Sequence, residues 1–180
     1  MGIDTGKATQ PPTQYTKTAR TLHWVMAIAI LALLFLGEET MGNHNADFLP
    51  TLHASAGLVI FLLFCFRVAW RWKHPPPVLE NRSRWETVLS RFVHRLLYTA
   101  MALLPLTGWL AYTEHVRRSL GARPASWFGF KIPLLNDFGI NWHLIHNWGG
   151  KVVLALIALH ATAAIKHHFY DRDDTLRRML

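Results

Sequence analysis

Four long apolar runs separated by polar stretches dominate the chain: "LHWVMAIAILALLFLG" (22–37), "LHASAGLVIFLLFCF" (52–66), "LLYTAMALLPLTGWLAY" (96–112) and "VVLALIALHATAAI" (152–165). Each is nearly free of charge and rich in Leu, Ala and Ile. None alternates apolar with polar residues as a half-buried strand would. With tolerant flanking residues, the first two and the last reach the roughly 20 residues that cross about 30 Å of hydrocarbon. The pattern predicts four transmembrane helices in an all-α integral membrane protein. The first run comes too late and lacks a small-residue cleavage site before "EET", so it counts as a helix and not as a signal peptide.

Punctuation refines this picture. "HPPPVLENRSRWE" (74–86) breaks the helical pattern between the second and third runs. Pro105 is expected to kink the third helix, which neighbouring helices tolerate in a membrane. Residues 1–19, polar and carrying Pro11 and Pro12, read as a disordered cytoplasmic tail. Residues 20–180 then form one four-helix transmembrane domain. Cys65 stands alone within the second run, so no disulfide forms inside the chain, and it is expected to pack as a small apolar residue. No C-x-x-C-H is present, which argues against covalently attached haem.

The net charge of +8 does not point to nucleic acid, because the basic residues gather at helix ends instead of covering a soluble face. Lys7, Lys17 and Arg20 precede the first run, and Glu38, Glu39 and Asp47 fill the first connection. Arg67, Arg71, Lys73, Arg82, Arg84, Arg91 and Arg95 surround the second connection. The third carries Arg117, Arg118, Arg123 and Lys131, and the tail adds Lys166, Arg172, Arg177 and Arg178. Positive charge stays inside, so both termini and the second connection are expected in the cytoplasm, with membrane lipid as a partner.

The histidines carry the chemistry. His44, His74 and His115 fall in connections, and His167 and His168 sit at the cytoplasmic end of helix four, where water or headgroups serve them. His146 and His160 are different. They lie fourteen residues apart on one helix, within about 40° of the same face and about 21 Å apart along the axis. Helix four runs inward, so His146 is the outer residue and His160 the inner. His23 begins helix one on the inner side, and His53 begins helix two on the outer side. Two pairs result: His23 with His160, and His53 with His146. Neutral imidazoles facing each other across a bundle suit the axial positions of an iron porphyrin, whose apolar ring fills the space between helices. Zinc would want about four ligands at each level, and the acidic or Cys partners are missing. Two axial histidines leave no open iron position, which favours electron transfer.

Several further residues are candidates around this arrangement. Each Nδ1–H needs an acceptor, expected to be a backbone carbonyl one turn away. Gly57, one turn from His53, and Gly149 and Gly150 after His146 suit either a wide flat ligand or close helix packing. His94, read as the start of helix three on the inner side, either replaces His23 as a ligand or contacts a propionate, a proton path or a quinone headgroup. Arg67 and Arg71 present one cationic face at the inner end of helix two. They either anchor it to headgroups or neutralise propionates and place quinone. Lys151 either snorkels to the outer surface or meets a propionate.

The ordered set "LHW" (22–24), "LHASAG" (52–57), "FRVAWRWKHPPP" (66–77), "HRLLYTAMALLPLTG" (94–108), "WFGF" (127–130), "IHNWGGKVVLALIALHATAA" (145–164) and "HHFYDRDDTLRRM" (167–179) resembles the bacterial cytochrome b561 family. Within it, the chain resembles specifically the small diheme branch that includes a superoxide oxidase. The resemblance implies a four-helix bundle in the bacterial inner membrane, enclosing two non-covalent b-type haems on His23, His53, His146 and His160. Lys151 departs from the superoxide oxidase pattern, which has an amide side chain there.

Two haems stacked across a bilayer make an electron path, with irons some 20 Å apart by helix rise. The expected function is transfer from an external donor to membrane quinone. By resemblance the donor is superoxide and the acceptor ubiquinone, a superoxide:ubiquinone oxidoreductase. The basic third connection and Lys151 either attract an anion to the external mouth or anchor headgroups. The alternative is a non-catalytic electron-transfer subunit linking quinone to a separate dehydrogenase or soluble cytochrome. A transporter with interfacial histidines would instead be colourless.

Overall fold

A computed structural model of the chain describes residues 14–42, 48–77, 83–120, 125–127, 130–132 and 138–180. Four helices make up most of it: α1 (Lys17–Gly42), α2 (Phe48–Lys73), α3 (Arg84–Leu120) and α4 (Trp142–Phe169). All four are long and apolar enough to cross a membrane. Between α3 and α4 lies a small antiparallel hairpin of β1 (Ala125–Trp127) and β2 (Phe130–Ile132). Strands this short leave no periodicity to read in the sequence. A 3-10 turn, Arg177–Met179, follows α4.

Local chemistry sets where each helix starts and stops. α1 begins at Lys17, inside the segment expected as tail, where Thr16 Oγ1 accepts from the Ala19 N–H at 3.3 Å. Residues 1–13 lie outside the described residues. α2 accommodates Pro50 in its first turn, where a missing N–H costs nothing. It stops at Lys73 because Pro75 pushes the residue before it out of helical conformation. α3 begins at Arg84, within the stretch expected to be irregular. Ser83 caps it: the hydroxyl donates to Glu86 Oε2 at 2.8 Å and accepts from the Glu86 N–H at 3.4 Å, in the S-x-x-E spacing of a capping box. α3 continues through Pro105 as one helix. At α4 the cap is Asn141, whose Oδ1 accepts from the Leu144 N–H at 2.9 Å. Asn141→Ala is expected to cost about 1 kcal/mol, read as earlier thermal loss of helical circular dichroism in detergent.

Large apolar side chains face outward along the bundle. Ile28, Leu62 and Phe35 are 67%, 60% and 70% exposed, whereas the buried set is small, among them Met26, Ile60, Val93, Ala111 and Val153. In water that distribution would be inside out. In a bilayer the outer faces meet hydrocarbon, and little drives apolar residues inward. Cys65 is exposed among these outer residues, a small apolar side chain on the face that meets hydrocarbon.

α1 packs along α2, α3 along α4, and α2 bridges to α3, whereas α4 only brushes α1. After α4 the chain folds back beneath the bundle. Trp24 Nε1 donates to the Met179 carbonyl at 2.7 Å, Arg20 Nη1 to the Leu180 carbonyl at 2.7 Å, and Arg178 Nη1 to the Pro77 carbonyl at 3.3 Å. This end is the termini face and the opposite end the far face. An ionic cluster closes the fold-back. Lys166 Nζ lies 3.3 Å from Glu86 Oε1 and 2.8 Å from Asp171 Oδ2, and His167 Nδ1 lies 2.8 and 2.9 Å from carboxylate oxygens of Asp171 and Asp173. Glu86, His167 and Asp171 bring ligand-type atoms within 4.8 Å of one another. Lys166 already supplies the cation there, so the cluster ties α3, α4 and the tail together. His167 therefore faces two carboxylates and is not a ring left to water.

Candidate functional site

The helix directions place the histidines at two heights. On the termini side, His23 of α1 and His160 of α4 have ring centroids 6.2 Å apart and planes at 78°. On the far side, His53 of α2 and His146 of α4 are 5.9 Å apart with planes at 85°. Two imidazoles binding one metal from opposite sides, at about 2 Å each, have ring centres about 6 Å apart. Both separations fit. Neither pair spans a tightly packed helix interface: α4 barely touches α1, and α2 and α4 are not among the extensively packed pairs of the described residues. A flat macrocycle would have to lie in such a loosely packed gap. Beside it, a Cβ added at Gly57 would meet no atom within 4 Å, so Gly57 leaves space and does not serve close helix packing.

The far pair rests on two glycines. A Cβ at Gly108 would lie 2.8 Å from His146 Cε1, and one at Gly37 would lie 3.2 Å from His53 Cε1. With Gly108 bare, the imidazole of His146 reaches α3. His146 Nδ1 is 3.1 Å from the Leu104 carbonyl and 3.2 Å from Thr107 Oγ1, while the Thr107 hydroxyl donates to the same carbonyl at 2.9 Å. A carbonyl only accepts, so the ring proton sits on Nδ1 and the Nε2 lone pair is available to a ligand. The acceptor thus comes from a neighbouring helix, which corrects the expectation of a carbonyl one turn away. His53 Nδ1 is buried on the side of the Leu33 backbone, the one acceptor within its reach, without a well-formed hydrogen bond.

At the termini-side level two rings compete for His160. His94 has its centroid 5.1 Å from that of His160, with planes at 85°, and its Nδ1 lies 2.6 Å from the Ser90 carbonyl. It stands well inside α3 and not at its start, because α3 begins at Arg84. Arg67 joins α2 to α1: Nη1 donates to the Ala19 carbonyl at 3.0 Å, and Nη2 lies 3.5 Å from His23 Nδ1. Arg71 places its guanidinium 5.7 Å from the ring centroid of Tyr98, whose buried hydroxyl has no hydrogen-bond partner. The exposed Lys151 lies over the Trp148 ring of its own helix, Nζ 5.1 Å from the centroid. His44, Arg123 and the side chains of Arg118 and Lys131 lie outside the described residues.

Some site residues carried little or no signal in the sequence. Thr107 and Gly108 matter only through contacts between helices. His143, one turn before His146, donates its backbone N–H to Glu114 Oε2 at 3.4 Å, and Glu114 is only 5% exposed.

Comparison with known proteins follows the same outline. The profile of the prokaryotic cytochrome b561 family matches residues 14–180. Cytochrome b561 homolog 2 of Escherichia coli K12 is 32% identical over 182 residues, covering 96% of this chain and 94% of the relative. The probable superoxide oxidase CybB of Yersinia pestis is 25% identical, covering 88% of this chain and 91% of its own length. A probable Ni/Fe-hydrogenase B-type cytochrome subunit of Cupriavidus necator is 23% identical, covering 99% of this chain and 88% of its own length.

Proposed function

The chain belongs to the prokaryotic cytochrome b561 family, and from there we propose that it moves electrons through two b-type haems, from a donor at the far face to quinone near the termini face. Membership itself makes the chain a b-type cytochrome crossing a bacterial membrane several times. The observation that carries the two-haem reading is the pair of histidine couples at two heights, 6.2 Å apart on the termini side and 5.9 Å apart on the far side.

Bound haem supplies a one-electron ferric/ferrous couple. The chain's own residues hold and insulate it. His146 offers Nε2 because its Nδ1–H donates to the Leu104 carbonyl, and Gly37 and Gly108 let the two far rings sit against the helix backbones. His23 and His160 reach across the loose α1–α4 gap at the other level. With His23 and His160 holding one haem and His53 and His146 the other, no iron position would be left open, and carbon monoxide is expected to leave the reduced absorption spectrum unchanged. His94 stays off the iron and serves the quinone side. Arg67, Arg71, Lys73, Arg172, Arg177 and Arg178 gather at the termini face, which by the positive-inside rule is the cytoplasmic one.

The relative named a probable superoxide oxidase supports superoxide as donor and ubiquinone as acceptor. Two superoxide anions each give up one electron to become oxygen, and the two electrons with two protons convert ubiquinone to ubiquinol. A second reading draws on the relative named a hydrogenase cytochrome subunit: the chain passes electrons between quinone and a separate redox enzyme without substrate chemistry of its own. Stopped-flow mixing separates the two. Rapid reduction of the oxidised protein by superoxide, then reoxidation by a soluble ubiquinone analogue, is the expected result. Inertness to superoxide with normal quinone reactivity would select the subunit reading.

A further inference from the structure

The two histidine couples differ in what faces the second nitrogen of a ligand ring. On the far side His146 donates Nδ1–H to the Leu104 carbonyl at 3.1 Å. That bond pushes electron density onto the ring and raises its basicity, which favours ferric iron. On the termini side His23 Nδ1 has the Arg67 guanidinium at 3.5 Å, held there by a 3.0 Å bond to the Ala19 carbonyl of the preceding turn; arginine only donates, so on a ring bound through Nε2 it would act by its charge and not by a hydrogen bond. Arginine keeps its charge under all ordinary conditions. Reduction adds one negative charge to a haem, and a fixed cation beside its ligand favours the added electron.

We propose that Arg67, acting through His23, raises the reduction potential of the termini-side haem above that of the far-side haem, so that the fold directs electrons toward the termini face. The inference rests on the two-haem reading above. Arg67 is a positioning residue for the electron: it touches the ligand ring and not the iron. Unit charges several ångströms apart in a protein interior interact by more than a factor of ten in an equilibrium constant. The far level has no described cation in an equivalent place, since Lys151 is exposed on Trp148.

The test is a spectroelectrochemical titration of the purified, haem-loaded protein, with haem per chain counted by pyridine haemochromogen. The wild type should titrate in two one-electron steps separated by at least tenfold in equilibrium constant, about 59 mV. Arg67→Gln should lower the upper step by tenfold or more and leave the lower step in place, while Arg67→Lys stays within a few-fold of wild type. Where Arg67→Gln fails to retain both haems, His53→Ala decides. It keeps only the termini-side haem, whose midpoint should equal the upper wild-type step. Unmoved steps in a two-haem Arg67→Gln protein, a shift of the lower step, or a low-potential haem surviving in His53→Ala would each overturn the inference. A wild-type haem count other than two would instead sink the reading beneath it.

Discussion

Replacing His53 or His146 by alanine is expected to halve the haem content and leave the termini-side haem, and replacing His23 or His160 to leave the far one. The levels are independent because α4 gives one ring to each, with fourteen residues and about 21 Å of helix between them. Pyridine haemochromogen content per chain is the readout; a carbon monoxide shift appearing in a variant that keeps its haem would report the same lost axial bond. His94→Ala should keep both haems and an unchanged spectrum. His94 is nearer His160 than His23 is, at 5.1 against 6.2 Å, but proximity counts against it. Two metal–nitrogen bonds of about 2 Å need ring centres about 6 Å apart, and His94 stands on α3, which packs extensively along α4. His23 stands across the loosely packed gap, where a macrocycle has room. Loss of the termini-side haem in His94→Ala, with retention in His23→Ala, would reverse the assignment.

The sequence disclosed the parts governed by periodicity and charge. Four apolar runs gave four spans, and the alternating directions brought His23 level with His160 and His53 level with His146, as the ring distances show. What it hid depends on contacts between distant segments or on short local caps. The capping box of Ser83 and Glu86 lies in a stretch dominated by prolines and charges, so α3 starts earlier than its apolar run suggests. The fold-back that ties Met179 to Trp24 is encoded in polar residues with no period to read. Likewise, nothing in "LLPLTGW" announces that its Leu104 carbonyl faces a histidine of another helix. The carbonyl is within reach because Gly108, one turn on, carries no side chain on that face, a property of two helices together and of neither alone.

Gly108→Ala is the second large effect expected, and its sign runs against the usual rule. In an exposed helix interior, glycine to alanine stabilises by about 1 kcal/mol. Here the new methyl would stand 2.8 Å from His146 Cε1, 3.2 Å from Nδ1 and 3.4 Å from Nε2, so it meets the imidazole itself and no flexible chain end. The ring cannot retreat without giving up the Leu104 carbonyl and Thr107 hydroxyl that hold Nδ1. Retreat also moves Nε2 away from the space it shares with His53. Loss or marked loosening of the far-side haem is expected, with the termini-side haem intact. Gly150→Ala is the matched control on α4, since its methyl would meet only Leu34 Cδ2 at 3.6 Å, an ordinary contact; it should keep both haems and unfold no earlier than wild type. Gly37→Ala, at 3.2 Å from His53 Cε1, should fall between them, binding the far-side haem more weakly without losing it. An unaltered spectrum and full haem content in Gly108→Ala would mean that His146 is not seated against α3, and the far-side ligand geometry would have to be redrawn.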